Sequence, residues 1–296
     1  MKQKAFIFVI LAGVLWGTSG IFVHYLSPFG FSSIQMSAVR GGVSFVILAL
    51  YALVRDRSLF RVNLKHLLLF ALNGIALFGT ASCYFFSMQA TSISTAVVLM
   101  YMAPIYVTVF SVLFLGERFS AVKAVSVACM LVGCALVSGI VGGLKADAFG
   151  IGMGVLSGIC YGSYNIITKI AMRSGAKPLS ATVYTFFFMF VIAFSVSEPL
   201  KIAECAAKDP AITLPLMLGI GIFTFIMPYV LYTLALKELP AGTASALSIV
   251  EPMSASLFGI FLFSEPVTVF SVCGILLILF AVFMFGKAEG SADKQK

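Results

Sequence analysis

Two ionisable residues of opposite charge, Arg40 and Glu251, lie deep inside long apolar runs of this chain. A charged side chain retained in such a setting faces a partner, a bundle interior or a wet cavity, because hydrocarbon does not tolerate it cheaply. Glu251 could exchange protons with a cavity or receive a substrate ammonium. The alternative is a structural ion pair with Arg40 or Lys169. Arg40, in turn, could meet a substrate carboxylate, Glu251 or backbone carbonyls. Lys169 reads as a residue that snorkels toward the cytoplasm. His24 stands near the outer end of the first apolar run, where an interfacial role is the default. Histidine changes charge near physiological pH, so His24 joins Glu251 as a proton-coupling candidate.

Uncharged polar and aromatic residues recur at helical spacing in the same runs. Asn73, Thr80, Tyr84 and Ser87 fall on one face, as do Ser157, Tyr161, Tyr164, Asn165 and Thr168. Ser245, Ser248 and Pro252 make a third stripe, and Trp16, Gly20 and His24 a fourth. Such stripes serve either as hydrogen-bonded helix contacts or as walls of a shared cavity. Trp16, Tyr101 and Tyr161 sit away from the run ends, where aromatic faces could sort a flat or cationic solute. The candidate substrate-binding set is therefore Trp16, Arg40, Tyr84, Tyr101, Tyr161, Asn165, Ser248 and Glu251. Pro104 and Pro252 lack the amide hydrogens that would pair with the carbonyls of Met100 and Ser248. Each marks a plain kink or a hinge. Glu117 and Glu265 fall at segment ends and suit helix capping.

The elements that must position these residues are membrane helices. The 296 residues are 61% hydrophobic and 10% charged, with a mean hydropathy of +1.10, well outside ordinary soluble composition. Segments of spanning length are predicted near 5–26, 32–54, 67–88, 92–115, 123–143, 150–171, 180–200, 212–235, 241–263 and 268–286. With the N-terminus inside, fifteen Lys and Arg residues face the cytoplasm. Only three (Lys145, Lys201 and Lys208) face outward, as the positive-inside rule requires. The net charge of +8 is thus a topology signal, and no nucleic-acid partner is expected. Five of six cysteines lie within spans and Cys205 alone in an outer loop, so no disulfide framework is expected.

The chain also repeats itself. At an offset of 148, Thr95 matches Thr243, Ala96 matches Ala244, Leu99 matches Leu247, Pro104 matches Pro252 and Glu117 matches Glu265. With five spans per unit, the second unit enters the membrane upside down, the build of many secondary transporters. The expected fold is an all-α integral membrane protein of ten transmembrane helices arranged as two inverted five-helix repeats. These occupy 1–143 and 150–286, with a cytoplasmic tail at 287–296. Abundant glycines suit close helix packing within a monomer or across a homodimer. The Gly150-x-Gly152-x-Gly154 series lacks the spacing of a dinucleotide fingerprint. No phosphate-cradling loop and no cysteine–histidine metal motif is present, so neither cofactor nor metal is expected.

The first span reads Ala12-Gly-Val-Leu-Trp-Gly-Thr-Ser-Gly20, and the sixth Gly158-Ile-Cys-Tyr-Gly-Ser-Tyr164. The fourth ends in Phe114-Leu-Gly-Glu117, and the ninth carries Ile249-Val-Glu-Pro252 and ends in Phe263-Ser-Glu265. In order, spacing and duplication these resemble the EamA-type transporters of the drug/metabolite transporter superfamily. The resemblance covers essentially the whole chain. It implies movement of small polar metabolites, often amino acids, through a central cavity, with the hairpins of spans three–four and eight–nine as gates. The expectation is a non-enzymatic exporter in the cell membrane, with both termini cytoplasmic. A flippase of a lipid-linked intermediate is the rival, and a laterally open, more apolar groove would favour it.

Overall fold

The computed structural model describes residues 2–91, 93–116, 120–137, 147–264 and 267–293, and their regular structure is helical throughout. Helix α1 (Lys2–Gly17) continues through Thr18 into α2 (Ser19–Leu26). There follow α3 (Ser33–Arg55), α4 (Leu64–Ala90), α5 (Ile93–Met100), α6 (Ala103–Leu115) and α7 (Ala121–Val137). The second half holds α8 (Ala148–Arg173), α9 (Pro178–Val196), the short α10 (Pro199–Ala207) and α11 (Pro210–Gly221). It ends with α12 (Met227–Glu238), α13 (Ala241–Leu247), α14 (Val250–Phe263) and α15 (Val269–Asp293). Glu117, Glu265 and Lys145 lie outside the described residues.

Among the described residues, seven stretches are long and apolar enough to cross a membrane: Gln3–Phe29, Ser33–Arg55, Leu64–Ala90, Thr95–Leu115, Pro178–Val196, Pro210–Glu238 and Ala241–Phe263. The molecule is an all-helical membrane protein. α8 has 26 residues but is not among the seven, because glycines, hydroxyls and Asn165 dilute its apolar content. One of its faces, with Phe149, Leu156 and Ile159, is exposed, and the other packs on α4, α5, α6, α12 and α13.

Several segments that read as continuous in the sequence are broken, and the breaks have local causes. Residues 92–115 divide into α5 and α6 at Tyr101–Met102, and 241–263 into α13 and α14 at Ser248–Ile249. Each proline then falls in the first turn of a new helix, where a missing N–H costs little. This corrects the expectation of an interior kink. The Ser248 carbonyl is also not left without a donor, since Glu251 N–H reaches it at 2.9 Å. The segment 212–235 contains a π-helical turn at Ile222–Ile226. Pro228 follows after one intervening residue, and its ring and absent donor disturb the preceding turn.

Glycines set how the halves meet. A Cβ at Gly17 would fall 2.8 Å from Ser254 Cβ and 3.1 Å from the Glu251 carbonyl, so α1 lies against α14. Gly162 meets Tyr106 Cβ and the Ala103 carbonyl in the same manner on α6. Tyr106 and Ala103 are the offset-148 counterparts of Ser254 and Glu251. The helix pairings repeat with the halves exchanged: α1 packs on α12 as α4 packs on α8, and α1 on α14 as α8 on α6. The pairs α3–α9 and α7–α15 map onto themselves.

Candidate functional site

α1, α3, α8, α12 and α14 bring most of the chemically distinctive side chains to one place. Trp16 is buried and meets the ring of Tyr229 edge-on at 5.1 Å and that of Tyr232 at 5.2 Å. Tyr229 also contacts Tyr164 at 5.5 Å, Phe225 at 5.0 Å and Phe186 at 5.5 Å. The Arg40 guanidinium stands over the Phe225 ring, 4.9 Å from its centre, and Nη2 donates to Ser37 Oγ at 3.0 Å. The π-turn therefore carries the ring that supports the arginine, a placement in keeping with π-bulges at functional positions.

Glu251 is half-buried in the first turn of α14, where the helix N-terminus favours a negative charge. Its field reaches Arg40 and the hydroxyls of Tyr84, Tyr101 and Tyr161. Among the described residues Arg40 and Glu251 attract each other without meeting as an ion pair. Lys169 is not Glu251's partner either. It is buried, not snorkelled outward, and Nζ donates to the Leu236 and Leu239 carbonyls at 2.7 and 2.6 Å. It thereby ties α8 to the C-terminal end of α12.

Three of the predicted binding residues have their polar groups taken up by protein. Tyr161 Oη donates to Ser248 Oγ at 3.1 Å, and Ser248 Oγ donates to the Ser245 carbonyl at 2.7 Å. Asn165 Nδ2 donates to the Tyr161 carbonyl at 2.7 Å, while Asn165 Oδ1 accepts from Tyr232 Oη. Ser248 and Asn165 hold the site in shape. By contrast Trp16 Nε1, Arg40 Nε and Tyr101 Oη are buried with no hydrogen-bond partner. Tyr101 lies beside Glu251 but makes no bond of good geometry to it. Such groups cost about 1–3 kcal/mol each when left unpaired. A polar solute entering this place would offset that cost.

The third-span stripe divides by function. Asn73 Nδ2 donates to Thr168 Oγ1 at 2.9 Å, and Ser157 Oγ donates to the Thr80 carbonyl at 2.9 Å, so both bind α4 to α8. Tyr84 alone of the four turns to Glu251. His24 is not part of the cluster. Its exposed ring rests on Phe263 at 4.2 Å, twelve residues beyond Glu251 and about 18 Å along α14. Pro104 and Pro252 flank the cluster at the two helix breaks. Sequence reasoning missed Tyr229, Tyr232, Phe225 and Phe186. The i, i+3 pair Tyr229–Tyr232 was the available cue, hidden among 29 phenylalanines and ten tyrosines. Among the described residues no three His, Cys, Asp or Glu side chains gather to hold a metal ion.

The model of the EamA-like transporter family matches residues 3–139 and again 148–286. The chain belongs to the EamA-like transporter family. An uncharacterized transporter of Archaeoglobus fulgidus is 28% identical to it over 278 residues, 93% of this chain and 94% of the relative. The uncharacterized transporter YwfM of Bacillus subtilis is 26% identical over 286 residues, 95% and 93% of the two chains. A crystal structure of a protein shares the fold with a TM-score of 0.78 at 16% identity, over 96% of both chains. This EamA chain is therefore a membrane transporter, and the cluster around Glu251 is the candidate site for what it moves.

Proposed function

We propose that this EamA transporter exports a small polar zwitterion, such as an amino acid, across the cell membrane by alternating access. The chain crosses the bilayer ten times as two inverted five-helix repeats, with both termini in the cytoplasm. The solute sits between the repeats, its ammonium toward Glu251 and its carboxylate toward Arg40, with Trp16 and Tyr229 along its flank. The observation that carries this reading is the cluster itself: one half-buried cation and one half-buried carboxylate held apart, with Trp16 Nε1, Arg40 Nε and Tyr101 Oη unpaired beside them. The recurrence of helix pairings with the halves exchanged supports the inverted repeat. The matched breaks before Pro104 and Pro252 support hinges that open one side at a time.

The test is a melting screen of the purified protein against amino acids, nucleosides and polyamines, followed by counterflow in proteoliposomes at two pH values. A zwitterionic amino acid should raise the melting temperature, and both Glu251→Gln and Arg40→Gln should abolish that rise. Stabilisation by none of the amino acids would end this reading. If counterflow by Glu251→Gln kept the wild-type pH dependence, Glu251 would not be the coupling group. One observation favours the flippase reading instead. An apolar groove of about 490 Å³ runs between α6 and α7, lined by Ile105, Val109, Val112 and Leu113 opposite Ala124 and Leu131. Stabilisation by a lipid-linked precursor alone would select it.

A further inference from the structure

The turn between α3 and α4 brings together four basic side chains, Arg55, Arg57, Arg61 and Lys65, and all four are exposed. The one acid among them, Asp56, is engaged with Lys177 at 3.8 Å and accepts from the Ser58 amide at 3.0 Å. Arg57 Nε donates to the Leu53 carbonyl at 3.1 Å, which leaves its two terminal nitrogens for other acceptors. Among the described residues no carboxylate pairs with Arg55, Arg57, Arg61 or Lys65. The far end of α9 differs. There Lys201 pairs with Glu198, and Lys208 Nζ donates to the Phe29 carbonyl at 2.8 Å. The backbone of the basic turn is fixed before any ligand arrives. Leu59 is buried and its carbonyl accepts from Ser180 Oγ at 2.8 Å, while the Phe60 carbonyl accepts from Tyr184 Oη at 3.0 Å. Val54 and Leu64, 81% and 71% exposed, stand beside the cations at the ends of the two membrane helices.

We propose that this turn binds the headgroup phosphate of an anionic bilayer lipid, with the acyl chains against Val54 and Leu64. Guanidinium groups grip phosphate oxygens in pairs, and Lys and Arg clustered at the end of a membrane helix attract anionic lipid nearly additively. Unpaired cations above exposed apolar side chains complement both parts of such a molecule. The site is independent of the transported solute. It rests on the proposed topology only for the choice of the cytoplasmic leaflet.

The experiment follows melting of the purified full-length protein in neutral maltoside micelles as phosphatidylglycerol, phosphatidylcholine or glycerol 1-phosphate is added. Phosphatidylglycerol should raise the melting temperature saturably by several degrees, and the other two should leave it unchanged. Arg61 and Lys65 make no side-chain hydrogen bond or ion pair within the described residues, so removing their charges leaves the fold intact. Arg61→Gln with Lys65→Gln should raise the half-saturating phosphatidylglycerol concentration about 20-fold. Arg61→Lys with Lys65→Arg should keep it, and so should Lys201→Gln at the far end of α9. An equal rise with phosphatidylcholine would overturn the proposal, as would an unchanged response in the double glutamine variant. The same rise with glycerol 1-phosphate would make the turn a site for soluble phosphates and overturn the lipid assignment.

Discussion

Tyr232 is fully buried and spends its only hydroxyl on Asn165 Oδ1, so replacing it with phenylalanine leaves the amide oxygen stranded in a dry interior. The expected loss is about 1–3 kcal/mol, read as a lower melting temperature. Solute selectivity should change little, since the bond shapes the site and does not face it. Glu251, Arg40, Trp16 and Tyr161 were legible in the sequence because a polar or singular residue stands out in an apolar run. Tyr229 and Phe225 were not, because another aromatic among many carries no mark of its own until the π-turn aims it at Arg40. Lys169 was misread for a related reason. Its distance from the end of the apolar run suggests snorkelling, but the Leu236 and Leu239 carbonyls at the end of α12 take up its ammonium.

Helix ends show the duplication at a finer grain than the spans do. Gly116 ends α6 with φ 64°, and Ser264 ends α14 with φ 54°. Their amides return to the Ser111 and Gly259 carbonyls, positions also separated by 148. The same left-handed terminator is thus built once from glycine and once from a residue that adopts it at a cost of about 1 kcal/mol. Ser264→Gly should raise the melting temperature by about 2 °C, and Gly116→Ser should lower it. The segment positions themselves could be read from hydropathy and charge. The breaks at Tyr101–Met102 and Ser248–Ile249 could not, because a proline signals that a helix ends nearby without fixing the residue. The chain begins the new helix so that the proline occupies its first turn.

At the scale of the molecule the reading turns on which face is which. Leu200 on α10 is 80% exposed, and Arg57 lies exposed between α3 and α4. In a chain whose six free cysteines are replaced, Leu200→Cys should react with a membrane-impermeant maleimide on intact cells. Arg57→Cys should react only after permeabilisation, and the reverse result would invert the assigned topology. The two-unit plan was legible from the 148-residue offset. How the units lock together was not, since it depends on which glycine meets which backbone across the interface. The packing of α8 bears on how the protein is made. Lateral release from the insertion machinery sorts each helix by its own solubility in lipid, and α8 is poorly soluble there, so it depends on the helices it packs against, chiefly α4, α5 and α6 of the first half. A chain that lacks α4 to α6 should leave α8 only partly membrane-inserted in a glycosylation-mapping assay. A chain running from Met1 to just past Arg173, which supplies them, should restore it. Membrane integration of α8 is then cooperative, its lipid entry supported by helices the ribosome has already delivered.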